Sequence, residues 1–212
     1  MQKPSLRAVI LESPDNCGKD TQIRLLLAHF ARQMIPFHVL KYSAPKVSPE
    51  ESKRYFSKCL YDSMFELVLQ SRRIVWGLNR AHISEQVYAP KYRSTDPTYI
   101  RRIEEFWLAA MPGEWSELAL VTFVDKPENL ISREDGQSFS IDPVDKQIEV
   151  QSFVEHTESS LIEKKAVINI DGLGPAEVHD KVMYFLYDNF NVTGVCKDGS
   201  IPSRAPFWAW NE

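Results

Sequence analysis

Five short apolar runs, Ala8–Glu12, Phe37–Tyr42, Ile74–Leu78, Leu118–Val124 and Ala166–Ile170, are separated by stretches long enough to hold helices. Continuous apolar strands joined in this way cannot pair as tight hairpins. They predict an α/β fold, a five-stranded parallel sheet with helices on both faces. The helical patterns fall at Asp20–Gln33, Pro49–Ser71, Pro97–Ala110, Asp145–Glu163 and Ala176–Asn189, with Asp96-Pro97 reading as an N-cap followed by proline at the first helical position. Such sheets bind ligands beyond the carboxyl ends of their strands.

The end of the first strand is the informative one. Val9 to Gln22 reads V-I-L-E-S-P-D-N-C-G-K-D-T-Q, a strand running through a Gly-Lys loop into an amphipathic helix that carries Ile23, Leu25, Leu26, Leu27 and Phe30. Backbone N–H groups of such a loop and of the helix's first turn make an anion site, and Lys19 adds a point charge for outer phosphates. Two positions depart from the pattern G-x-x-x-x-G-K-[ST]. Ser13 stands for the first glycine, and Asp20 for the hydroxyl that binds magnesium.

Composition narrows the partners. A chain of 212 residues with 43% hydrophobic content suits one domain, here 1–191, followed by a tail over 192–212. That tail holds Gly194, Gly199, Pro202, Pro206 and Phe207-Trp208-Ala209-Trp210, and reads as an irregular strap. A net charge of −4 argues against a nucleic-acid polymer or an anionic membrane and for a small molecule. Cys17, Cys59 and Cys196 are widely spaced and odd in number, as in reduced thiols. With neither a secretory leader nor a spanning run, the expected location is cytoplasmic.

Further candidates lie along the chain. Asn79-Arg80 follows the third strand, where an arginine can fork onto a second phosphate. Tyr55, Phe56, Tyr61 and Phe65 could stack on a nucleobase, although aromatics at helical spacing usually form core. His82 could stack or shuttle a proton, against the plainer reading of a hydrogen-bonded structural histidine. A helix N-terminus could make Cys17 a redox-sensitive thiol, against that of a small loop residue. Lys91, Arg93, Arg101 and Arg102 line either the acceptor side or a solvated helix face.

Glu12-Ser13-Pro14-Asp15-Asn16-Cys17-Gly18-Lys19-Asp20-Thr21-Gln22 resembles the thymidylate kinase loop E-G-x-D-x-x-G-K-[ST]-T-Q. Asn79-Arg80 resembles that family's Asp-Arg motif. Lys126-Pro127-Glu128, then Arg133 and a helix with Glu149 and Phe153, is similar to its strand–lid–helix segment. His82 to Arg93 and Arg133 to Ser140 are similar to a branch found in phages and some bacteria, which would place the protein in a host cytoplasm. The resemblance implies a P-loop kinase fold with a mobile lid over about 132–145.

The activity it implies is transfer of the ATP γ-phosphate, with Mg2+, to a deoxynucleoside monophosphate such as dTMP or a modified pyrimidine. ATP would lie on Asn16, Cys17, Gly18, Lys19, Asp20 and Thr21, with Asp20 toward the metal. Asp15 would bond the acceptor's 3′-hydroxyl, Arg80 would clamp its phosphate, and Phe65 is the stacking residue nearest the crevice. Arg133 would swing in from the lid, with Lys146 the next cation available. Loose, anionic phosphoryl transfer needs such positioned cations more than a general base. A homodimer is expected by analogy.

Against the family pattern one carboxylate is gained at Asp20 and one is lost at Asn79, which suggests relocated charge. Lys41-Tyr42-Ser43-Ala44-Pro45-Lys46 replaces the usual Arg-Glu-Pro-Gly. The alternatives are a deoxynucleoside kinase, disfavoured by the arginines at 80, 93, 101 and 102, and a non-catalytic nucleotide-binding module on the same fold.

Overall fold

The structure is a computed structural model and describes residues 3, 5–41, 50–136 and 138–192, with side chains in the second helix described from Cys59 onward. Tyr42, Pro49, the side chains of Tyr55 and Phe56, and the tail from 193 onward lie outside what is described. Strands β1 (Ala8–Glu12), β2 (Phe37–Lys41), β3 (Val75–Asn79), β4 (Leu118–Val124) and β5 (Lys164–Asn169) form one parallel sheet in the order β2-β3-β1-β4-β5. The chain runs outward from β1, returns through β3, and then crosses to β4 and β5. Strand order thus reverses around β1, and the crevice at such a switch point is where open α/β sheets bind ligands.

Every residue of β1 and β4 is buried, as expected of central strands covered on both sides. Alternate residues feed two cores. Val9 and Leu11 pack with Ile23, Leu26 and Phe30 of α1 (Lys19–Arg32) and Val182 and Leu186 of α8 (Pro175–Asn189). Ala8 and Ile10 pack on the other face with Met64, Phe65 and Leu69 of α2 (Glu50–Gln70), Ile83 of α3 (His82–Tyr92), Trp107 of α4 (Tyr99–Ala110) and Phe153 of α7 (Pro143–Ser159).

Element ends differ from the expectations for local reasons. α4 starts at Tyr99, because the Asp96 carboxylate accepts from the Thr98 N–H at 2.9 Å and its hydroxyl at 2.8 Å and closes a turn of its own. α7 starts earlier than expected, since Asp142 is its N-cap and accepts from Val144 N at 2.8 Å and Asp145 N at 3.2 Å. It ends at Ser159 instead of Glu163, and β5 begins at Lys164. β5 is an edge strand, which tolerates a Lys-Lys start that breaks the apolar run. Two short helices, α5 (Pro112–Trp115) and α6 (Pro127–Ser132), have no apolar period to announce them. Among the described residues no helix is long and apolar enough to cross a membrane.

Candidate functional site

The loop between β1 and α1 folds back on its own lysine. Gly18 caps α1 at φ 76°, a left-handed conformation that glycine adopts without strain, and the amides of Thr21 and Gln22 both reach its carbonyl at 3.1 Å. Ser13 is not among the positive-φ residues, so its backbone does not require the glycine of the usual pattern. Its hydroxyl has a use instead. Lys19 Nζ donates to Ser13 Oγ at 2.6 Å, Pro14 O at 3.0 Å and Ser13 O at 3.2 Å, and the lysine is buried. Burial holds the ammonium below the ordinary lysine range, so a charged oxygen in place of these neutral ones would be strongly favoured.

Asp15 and Arg80 meet in an ion pair at the mouth of the loop. Arg80 sits at φ 69° just beyond β3, and its guanidinium also lies 5.6 Å over the ring of Tyr88. Tyr88 is buried, and its hydroxyl has no hydrogen-bond partner among the described residues. Under Arg80 lies Glu12, fully buried, which accepts from Ala81 N at 2.8 Å, Ile83 N at 3.1 Å and Ser84 Oγ at 2.5 Å.

Asp20 and Asn79 touch. Asn79 Nδ2 donates to Asp20 Oδ1 at 2.6 Å, and Lys41 Nζ, at the end of β2, reaches the same oxygen at 2.9 Å. Burial raises the Asp20 pKa, but the bonds from Lys41 and Asn79 outweigh it and hold the group below its ordinary range. The side chain is 63% exposed. Among the described residues no group of three or more metal-ligating side chains occurs. A single carboxylate of this kind could serve a magnesium ion, which takes one or two carboxylates and completes its shell from phosphates and water.

The segment expected to form the lid lies against both the loop and α3. Asn16 Nδ2 donates to Glu134 Oε2 at 3.0 Å and Ser138 Oγ at 3.3 Å, and Glu134 Oε1 accepts from Gly136 N at 2.8 Å and Ser138 N at 3.2 Å. Phe139 stacks face to face on Tyr92, centroids 4.7 Å apart at 12°, and lies 5.4 Å from Tyr88. Arg133 is paired at the base of this segment. It pairs with the buried Asp125 at the end of β4, and its Nε donates to Asn129 O at 2.9 Å. Lys146 is fully buried and paired at 3.1 Å with Glu149, which also accepts from the Tyr92 hydroxyl. It is committed inside the fold.

Other expectations are corrected here. Phe65 is 0% exposed, with His82 at 5.1 Å and Trp115 at 5.2 Å; its ring belongs to the core and offers no open face to a base. Tyr61 is buried as well. Burial pushes the Cys17 thiol up to about 11 despite Lys19 and Arg133, so the redox reading fails. His82 is a structural histidine, buried and bonded to Glu104 at 2.9 Å. Arg93 pairs with Glu85 at 2.5 Å, Arg101 with Glu105 at 3.2 Å, and Lys91 with Asp145 at 3.0 Å, while Arg102 is exposed. Of the four arginines expected on the acceptor side, only Arg80 meets the loop. Sequence reasoning missed Glu12, Asp125, Glu134 and Tyr92 as site-shaping residues; Glu12 and Asp125, polar residues closing buried strands, carried the one signal that could have found them.

No protein-family model and no curated protein matches this chain. Solved structures do. The YorR protein of Bacillus subtilis, in complex with phosphorylated GDP, is 17% identical with a TM-score of 0.57 over 84% of this chain and 94% of its own. Thymidylate kinase from Candida albicans is 13% identical with a TM-score of 0.56, over 87% and 92% of the two chains. Thymidylate kinase from Ehrlichia chaffeensis is 14% identical with a TM-score of 0.58, over 85% and 98%. At these identities the likeness is one of fold, and the chain has the α/β fold of the thymidylate kinases.

Proposed function

We propose that the protein transfers the γ-phosphate of ATP, with magnesium, to a deoxynucleoside monophosphate, dTMP or a related pyrimidine. The observation that carries this reading is the meeting of Asp15 and Arg80, which brings a forked cation to the mouth of a lysine-bearing phosphate loop. A donor site and an acceptor clamp then share one crevice. Triphosphate oxygens replace the Ser13 and Pro14 oxygens on Lys19 and take the N–H groups of Asn16 to Thr21. The acceptor phosphate takes Arg80 from Asp15, which frees the carboxylate for a sugar hydroxyl. Arg133, paired with Asp125 at the end of β4, would offer its charge to the transferring phosphoryl group. Asp20 would hold the magnesium, which when bound offsets phosphate charge. A homodimer is part of the proposal by analogy alone.

Mixing protein, ATP and magnesium with each deoxynucleoside monophosphate in turn, and reading ADP, tests this directly; ADP formed only with unphosphorylated nucleosides would assign a deoxynucleoside kinase instead. Lys19→Ala should lower kcat by about a hundredfold or more, as loss of one preorganised cation does, while the protein stays folded. An unchanged kcat would remove the phosphate-loop assignment. The second reading, a binding module without turnover, is favoured by the engagement of Asp20 with Lys41 and Asn79. Nucleotide binding with no ADP from any acceptor would establish it.

A further inference from the structure

Glu12 closes β1 with a carboxylate that is 0% exposed, at a strand end where an apolar residue would be the easier fit. Its bonds run to one place. Oε1 accepts the Ala81 and Ile83 amides at 2.8 and 3.1 Å, and Oε2 accepts the Ser84 hydroxyl at 2.5 Å. These are groups of the first turn of α3, whose cap residue Ala81 has no side chain to serve them. A carboxylate from the neighbouring strand therefore caps the helix, and the helix end favours its charge.

Arg80 lies immediately before that cap. Its φ of 69° is uncommon for a residue with a Cβ, and such a conformation persists only where its surroundings hold it. Both sides of Arg80 are held from the end of β1. Its own amide donates to Leu11 O at 3.0 Å, and the next amide, of Ala81, donates to Glu12. This turn sends the guanidinium back onto Asp15 and over Tyr88. We infer that Glu12 is a positioning residue, which fixes the turn between β3 and α3 so that Arg80 faces the phosphate loop and thereby sets affinity for the acceptor's phosphate. The inference rests on the proposed function for its ligand, though the placement of Arg80 does not.

Two substitutions separate reach from charge. Glu12→Gln keeps the Oε1 acceptor for both amides, and the Ser84 hydroxyl can turn to accept from the new amide. Glu12→Asp keeps the charge but falls one methylene short. Glu12→Asp should weaken binding of the deoxynucleoside monophosphate by about tenfold, the effect of one buried hydrogen bond left unmade, with ATP affinity within about twofold. Glu12→Gln should restore most of the loss. Calorimetry with each nucleotide reads both without turnover. Equal weakening toward ATP and acceptor, or a fall in Tm with both affinities unchanged, would make Glu12 merely structural and overturn the inference.

A readout without nucleotide keeps the two proposals apart. The Arg80 side-chain Nε–H resonance, assigned by its loss in Arg80→Lys, should move in Glu12→Asp and hold in Glu12→Gln. If the wild type binds no nucleotide, the functional reading fails and this resonance alone decides the positioning role, which an unmoved signal in Glu12→Asp would end. Should Glu12→Asp not fold, Ser84→Ala removes one of the three bonds and should shift the same resonance less; no shift there would overturn the inference.

Discussion

The amide of Asn79 and the carboxylate of Asp20 lie 2.6 Å apart, so these two departures from the thymidylate kinase pattern are direct partners. Aspartate at 79 would set two carboxylates against each other, and threonine at 20 would leave both Lys41 and Asn79 without their acceptor. Asp20→Thr and Asn79→Asp are each expected to lower kcat/KM, and the double change to recover much of the loss. Contacting residues typically couple by about 0.5–3 kcal/mol, which a double-mutant cycle at fixed magnesium resolves. Additive effects would show that the two positions act independently and that charge was not relocated between them.

At the scale of elements, one aromatic contact adds to the polar bonds that hold the segment around Glu134 and Ser138 against the loop. Phe139 is 51% exposed yet face-stacked on Tyr92, whose own hydroxyl is anchored to the buried Glu149. A stacked pair contributes about 0.5–1.5 kcal/mol beyond its area, so Phe139→Ala should loosen the lid by up to about tenfold in hydrogen-exchange protection. Water then reaches the bound triphosphate, and ADP release without acceptor should rise; unchanged protection and hydrolysis would place closure elsewhere.

What was legible in the sequence follows the same elements. β1 and β4 are buried on both faces and read as unbroken apolar runs, and the loop residues from Asp15 to Thr21 are contiguous. The edge strand β5 hides its start behind two lysines. Contacts such as Asn16 with Glu134, 118 residues apart, leave no periodic trace. Phe65 was misplaced because helical spacing tells which residues share a face, not which face meets the crevice.

The molecule as a whole carries an acid-sensitive seam. Between α1 and α8, the rings of His29 and His179 lie 6.1 Å apart, and His29 is bonded to the Tyr187 hydroxyl at 2.9 Å. Burial, then the neighbouring His29 and Arg32, push His179 down to about 4, and burial and Arg32 lower His29 as well. The unfolded chain therefore binds protons first. The histidine contribution should be lost as pH drops below the free-histidine value of about 6.5, with His179's share fully lost by about 4. The full effect for His179 is on the order of 3 kcal/mol, from about 1.4 kcal/mol per unit of pKa. Urea midpoints at pH 7 and 4.5 measure it, and His179→Gln should flatten the difference; an equally steep loss in that variant would assign the acid sensitivity to other groups and remove it from His179.

The pairing of cations around the crevice has a kinetic consequence. Lys41 faces Asp20, Arg80 faces Asp15 and Arg133 faces Asp125, so among the described residues these three cations at the mouth present dipoles, not a bare positive field. A bare basic cleft draws anions from a distance, and its capture rate falls steeply as salt shortens the Debye length. Here the arriving nucleotide meets little net attraction until it is close enough to exchange partners with each carboxylate. Stopped-flow association rates should accordingly change by less than about threefold between 20 and 200 mM salt, far below the 10- to 1000-fold reach of electrostatic steering, while dissociation carries the differences in affinity. A steep salt dependence of capture would mean that these pairs are open in solution before the nucleotide arrives.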